Sequence, residues 1–491
     1  MGAGSVKRSY IVGGVVVAIC VVAGGGYFYS NYAEEKVKEE IAKAEQKIKS
    51  LFKGLGPEFD EGETSLSYKV AGTGLSGKVD LENVVIKNTP NLESERRSIS
   101  ISKLLLSNIG DLLNIENAEN FKAYTGRGGY IGFGHLRIKG IPIIKIDEAV
   151  EANPDKIVEA LKIIAFSDFR IENLKIKEEN KSPEQYIASF SIGKLDNNTL
   201  TDVTLKNLNF QERENKPKIS VESVSLDKFV LPLVLEDEEK ITRNVSDAFG
   251  LSALKVEKIT FSEKESGVVQ LGSLQLDVGR HNELINDVNL KLSGAEIPKS
   301  ALLESGFIPE KILDTVNQNK LIFNASMSSV SDFSASTSSI EISANLEQLA
   351  KVGLNLTLGG ISEDLIKKLG GSPDSGLLNE ITKDITFKTI GFSFSNEGLT
   401  EIAFKLAEKE NGLNRQQISE IVGVSIESNK NLDASQKAKI KTAIQTFIKS
   451  GQSLKLSINS KNPSGLTTDT ILMSFLTGSL GDVLEFDVAA Q

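Results

Sequence analysis

The residues in this chain best suited to chemistry are few, and their spacing does not suit it. Two histidines, His135 and His281, cannot build a multi-histidine metal centre. The single cysteine, Cys20, lies in an apolar run, so no disulfide, zinc cluster or thiol nucleophile follows it. The stretch TGRGGYIGFGHLR (125–137) comes nearest to a phosphate-binding loop. It lacks the Gly-Lys-Ser/Thr ending and the glycine spacing of either nucleotide motif, so it reads as a turn entering a strand. His135 alternates with Leu136 there and reads as a face residue of that strand, not a base. LEDEEK (235–240) gathers four carboxylates without the glycine turn and spaced ligands of a calcium loop. Acidic residues opening a helix, where they oppose its dipole, account for it better. No nucleophile elbow, HExxH or paired-carboxylate arrangement emerges. The expectation is a protein that is not an enzyme, with no catalytic residue, no metal and no cofactor.

The elements that would position any site are more informative. The 491 residues suggest two or three folded units, and 40% hydrophobic with 25% charged residues describes a folded chain. A net charge of −10, with no basic stripe interleaved with aromatics, disfavours nucleic acid as a partner.

No charged residue occurs between Arg8 and Glu34. That run exceeds the roughly 20 residues a bilayer requires. Lys7 and Arg8 before it and acids after it place the N-terminus in the cytoplasm. Tyr27, Phe28, Tyr29 and Tyr32 sit where the outer interface would lie. A signal peptide cut after Val21 and Ala23 is the competing reading. Next, Val37, Ile41, Ala44, Ile48 and Leu51 recur at helical spacing, as a helix plugging the following domain or as a short coiled-coil stalk.

Beyond it a formula repeats: apolar, any, apolar, any, a small polar residue, apolar, any, apolar. Copies begin at Val79, Ile99, Leu136, Phe169, Val203, Val224, Leu254, Val269 and Ile385. In a strand, residues two apart share a face, so the two apolar pairs would point to opposite sides. One extra residue at positions 4 and 5, with the small polar residue in a turn-like or left-handed conformation, restores a common face and bends the strand. The chain is therefore expected to be α+β and strand-rich, with an N-terminal transmembrane helix, long curved antiparallel sheets of kinked strands, and helical inserts at 146–164, 236–250 and 299–318. A helix-rich C-terminal module follows. Its N-caps are Asn414 with Gln417 and Asp433 with Gln436, its stops Gly412 and Gly451, and its strands lie near 385–394, 453–459 and 484–488. The boundaries are 1–8 cytoplasmic tail, 9–33 anchor, 34–55 amphipathic helix, 56–298 β-rich domain, 299–377 mixed segment and 378–491 C-terminal module. The greasy face of the kinked strands forms either an open apolar wall, carried by Val79, Leu81, Ile86, Phe169, Ile171, Ile176, Val203, Leu205 and Phe210, or an ordinary filled core.

VDLENVVIKN, FRIENLKIKE and VTLKNLNF, together with the anchor at 9–33, resemble the AsmA-like bacterial envelope proteins and their shorter YdgA-like relatives over about 60–290. The resemblance implies a single-pass inner-membrane protein with its bulk in the periplasm and a twisted sheet whose apolar concave side holds or conducts acyl chains. Implied partners are the membrane, phospholipid or fatty acyl chains, and other envelope proteins. About 20 strands roughly 4.8 Å apart would span on the order of 100 Å at most, short of the long members' reach.

Overall fold

A computed structural model describes residues 63–142, 165–230, 251–365 and 384–491, less 75–77, 90–96, 110–111, 126–128, 178–182, 197–198, 212–215, 264–266, 282–283, 306–309, 317 and 430. The anchor run, the amphipathic helix at 34–55, the helical inserts at 146–164 and 236–250, and LEDEEK lie outside those residues. Among the described residues no helix is long and apolar enough to cross a membrane. The fold is strand-rich and its sheets are antiparallel. Two compact units divide it: Met1–Leu233 with Phe249–Leu251, and Val234–Ala248 with Ser252–Gln491.

The first unit is a meander of nine strands, each pairing with the next: β1 (Glu63–Gly74), β2 (Lys78–Thr89), β3 (Arg97–Ile109), β4 (Leu112–Thr125), β5 (Tyr130–Pro142), β6 (Phe166–Lys177), β7 (Gln185–Asp196), β8 (Thr199–Gln211) and β9 (Lys218–Val230). The repeated formula explains its geometry. Position 5 of a copy takes a left-handed conformation at Asn83 (φ 52), Gly140 (φ 75), Asn173 (φ 56), Asn207 (φ 50) and Lys258 (φ 48). Asparagine and glycine enter that region at least cost and an unbranched lysine can occupy it, where a β-branched residue would clash. The residues flanking it then share a face: Leu81 and Val84, three apart, are both 2% exposed.

The copies at Ile99, Val224 and Val269 achieve the same offset differently. Their position 4 (Ser102, Asp227, Gly272) stands level with a left-handed residue on a neighbouring strand, at Asn83, Asp202 and Lys258 respectively. Both strands of each pair skip together, so those ladders keep their register. The result is a seam crossing the unit through Asn83, Ser102, Asn120, Gly134, Asn173, Ala188, Asn207 and Glu222, with the left-handed residue on every second strand. Local hydrogen bonds brace it: Asn120 Nδ2 donates to Ser102 Oγ at 3.1 Å, and Tyr186 Oη to Asn173 Oδ1 at 2.9 Å. In the copy at Ile385 the extra residue, Lys388, appears as a register shift without a left-handed residue.

The second unit continues the theme and then abandons it. Its strands are β10 (Ala253–Glu263), β11 (Gly267–His281), β12 (Leu284–Pro298), β13 (Lys320–Asp332), β14 (Thr337–Leu346), β15 (Ala350–Gly359), β16 (Thr386–Asn396), β17 (Ser453–Ser460), β18 (Leu466–Thr467) and β19 (Leu484–Ala490). Lys258, Gly272 and Gly294 carry its seam, and the Gly294 N–H donates to Asn324 Oδ1 at 2.7 Å. The same device joins Gly140 to Asn114 in the first unit, at 2.8 Å. From β13 onward the pairing is nearly plain; β16 pairs with β15, β17 and β18, and β17 with β19.

Between Pro298 and Lys320 the expected helical insert is two short helices, α1 (Lys299–Ser305) and α2 (Glu310–Thr315), which enclose Leu302, Leu313, Val316, Leu321 and Leu349. Helices α3 (Leu399–Asn411), α4 (Arg415–Ser428) and α5 (Ala434–Ser450) carry the anticipated signals. Asn414 with Gln417 and Asp433 with Gln436 form complete capping boxes, and Gly412 and Gly451 close α3 and α5 in left-handed conformations. Two more, α6 (Thr468–Thr477) and α7 (Leu480–Val483), connect β18 to β19.

Candidate functional site

In the first unit the register assembles an apolar row, one residue per strand: Leu81, Leu104, Ala118, Leu136, Ile171, Phe190, Leu205 and Val224. Phe169, Ile192 and Val203 form a second row beside it. Five of the nine proposed lipid-wall residues therefore come together: Leu81, Phe169, Ile171, Val203 and Leu205. Ile176 is half-buried at the other end of β6, and Phe210, 36% exposed, stands near the end of β8. Val79 and Ile86 pair through their backbones with Leu106 and Ile99, and their side chains lie outside the described residues.

The row changes character along its length. On β2–β5 it is closed: Leu81, Leu104, Ala118 and Leu136 are 2, 0, 0 and 4% exposed. Phe121 and Phe133 stack there with ring centroids 4.3 Å apart. On β6–β9 the same face is mostly half-exposed, and Phe169 packs edge-on against Phe190 at 5.8 Å. So the formula makes a closed core over four strands and a partly open wall over the next four.

The second unit contains a feature that sequence reasoning missed. Leu276, Leu290, Met327, Ile342, Leu354, Phe392, Leu456 and Val488 pair in succession, one from each of β11–β17 and β19. Eight strands at about 4.8 Å make this row about 34 Å long. Its middle is open: Met327, Ile342, Leu354 and Phe392 are 37, 41, 40 and 36% exposed. One end of the neighbouring row is covered where Phe394 meets Phe447 of α5 edge-on at 5.6 Å. The alternation apolar-polar in β13–β15 was the available signal, since a strand with one oily face must cover it or leave it open.

The reverse face of β13–β19 is polar and forms a hollow of about 580 Å³ whose lining includes Glu341, Asn355, Ser393, Lys455 and Asp487. Gly353 and Gly391 lower its floor. A Cβ at Gly353 would stand 2.5 Å from Ser393 Oγ, and one at Gly391 would overlap Asn355 Oδ1.

Elsewhere the polar clusters hold shape. Tyr130 Oη donates to Glu184, which also pairs with Lys175 at 2.9 Å. That hydrogen bond, with partial burial and the nearby carboxylate charge, pushes the Tyr130 phenol up to about 12. The same bond, with the hydrogen bond from Lys175, holds Glu184 below the usual carboxylate range against the opposing effect of burial. Lys122 Nζ lies 4.5 Å above the Tyr130 ring and 4.8 Å above that of Tyr124. Glu401 is likewise held low, chiefly by Asn396 and with help from Arg415. His135 is exposed on β5, its Nδ1 3.3 Å from Asn117 Oδ1. Among the described residues no three His, Cys, Asp or Glu side chains group as metal ligands would. These arrangements can bind by burial and hydrogen bonding.

A family model described as an uncharacterized protein matches residues 343–491, which run from β14 through the apolar row and the helices to the C-terminus. No curated protein matches the chain.

Proposed function

We propose that the chain is a non-catalytic, membrane-anchored protein of the bacterial cell envelope, with its bulk in the periplasm, that binds acyl chains along open sheet rows. The observation that carries the reading is the run Met327, Ile342, Leu354 and Phe392, adjacent side chains each more than a third exposed. Contiguous exposed apolar surface of this kind marks a binding face. Each methylene that an acyl chain buries there contributes about 0.8 kcal/mol, so such a row needs no specific polar contact. The half-exposed wall of β6–β9 supports the same reading, and the N-terminal uncharged run supports the anchor.

Lipid mass spectrometry of the full chain purified in mild detergent tests it. Phospholipid or fatty acid is expected to co-purify. Ile342→Asp with Leu354→Asp should lower its amount by about tenfold or more, because a carboxylate facing an acyl chain costs more than the 1.4 kcal/mol that factor represents. Ser343→Asp, on the opposite face, should leave it unchanged. A folded, lipid-free wild type that ignores fluorescent fatty acid refutes the reading. It would leave an envelope scaffold with filled cores, which the closed face at Leu104 and Ala118 favours.

A further inference from the structure

The open row of the second unit has a trough beside it. Ala325 on β13 and Ala344 on β14 stand directly opposite each other. Ala325 lies between Met327 and Phe323, and Ala344 between Ile342 and Leu346, which are likewise opposite in pairs. Residues two apart share a strand face, so the alanines make a low floor and the four larger side chains its walls. The wall away from the open row is braced from behind, because Leu346 packs on the cluster of Leu302, Leu313, Val316, Leu321 and Leu349. Along the trough the register leads to Val352 on β15, 37% exposed, and then to Phe394 on β16. There Phe447 of α5 stands edge-on to Phe394 at 5.6 Å and covers the end. From Ala325 to that stop is three strand steps, about 14 Å.

Width and chemistry select what fits. The walls stand four residues apart along each strand, about 13 Å between their backbones. A helix with its side chains is ~10–12 Å across, too broad once the wall side chains take their share of that gap. An extended peptide would leave its N–H and C=O groups unpaired, since none of the six side chains donates a hydrogen bond and only the Met327 sulfur accepts, weakly. A chain of methylenes meets both conditions. We propose that the trough seats one acyl chain with its methyl end against Phe394 and Phe447, so that this pair sets the longest chain held in full. The inference rests on the acyl-binding reading and adds to it a direction and a length limit. The polar end points away from the pair, because an ionised group at an aromatic stop would lose its water without a partner.

The test offers the full chain, in mild detergent, an equimolar mixture of saturated fatty acids of graded length and counts the bound ones by mass spectrometry. Relative to wild type in the same mixture, Phe447→Ala should shift the bound set to longer chains, by about fourfold for each methylene that gains contact. Ala344→Phe, which fills the floor, should lower total binding about tenfold or more, the equivalent of two lost methylenes. Circular dichroism checks that each variant is folded, and Ala325→Phe repeats the block from the neighbouring strand. A fatty acid carrying a diazirine at its terminal carbon should label the segments bearing Phe394 and Phe447. Labelling elsewhere, an unshifted Phe447→Ala set, or full binding by folded Ala344→Phe and Ala325→Phe overturns the trough and leaves the acyl reading standing. A wild type that binds and labels with no fatty acid overturns both.

Discussion

Asn207 offers the most direct check on the seam. Its φ of 50 places it in the left-handed region, and its side chain is exposed, so a substitution acts mainly through the backbone. Left-handed conformation costs an L-residue about 1–2 kcal/mol, and valine, branched at Cβ, tolerates it poorly. Lys206, the preceding residue on β8, is also exposed and lies outside the left-handed set. Valine at 206 should therefore be nearly neutral or slightly favourable in a strand. The expected difference between Asn207→Val and Lys206→Val is about 1–2 kcal/mol, or about 2–8 °C in the melting transition of a unit this size. Asn207→Gly keeps the conformation accessible and should fall within about 1 kcal/mol of wild type. Thermal and urea unfolding of the full chain, followed by circular dichroism, reads all three. Equal costs for valine at 206 and 207 would refute the seam, because β8 would then run through Asn207 as an ordinary strand.

The geometry fixes further outcomes. Glu184→Gln should bring the Tyr130 phenolate transition down from about 12 toward ordinary tyrosine, read by ultraviolet absorbance of the phenolate. In the wild type, the raised Tyr130 value gives stability present below the unfolded tyrosine range and lost as pH rises toward about 12. The depressed Glu184 gives stability present above the unfolded carboxylate range and lost as pH falls through its folded value. Gly360→Ala and Gly412→Ala separate space from conformation, since their φ values are 79 and 65. A Cβ at Gly412 meets open space and should cost about 1 kcal/mol. One at Gly360 would overlap the Asp384 carbonyl oxygen and should cost several times more, which urea unfolding would show.

The kink was legible because it rests on local chemistry. Asn83, Asn173 and Asn207 interrupt alternating apolar residues, and only a short polar side chain or glycine enters the left-handed region cheaply. The helix caps at Asn414, Asp433, Gly412 and Gly451 were legible for the same reason, since each signal lies within one turn of the bond it makes. The seam itself was not. Ser102 and Gly272 stand level with Asn83 and Lys258 only because of the register in which each pair of neighbouring strands meets, which neither strand's own pattern fixes.

The candidate site divides along the same line. Alternation told which side chains share a face, so Leu81, Ile171 and Leu205 were grouped from sequence, and the structure brings them into one row. Identical patterning could not tell a buried face from an open one. Leu104 at 0% and Ile342 at 41% exposure occupy similar strands, so alternation alone does not encode whether anything covers the face. The outward face of α6 was hidden likewise, because Leu472, Met473, Phe475 and Leu476 read as core until tertiary packing seats Ser474 inside and leaves Leu476 outside. Local propensity thus set strand, kink and cap, whereas burial, being a sum over long-range contacts, was decided by the fold alone.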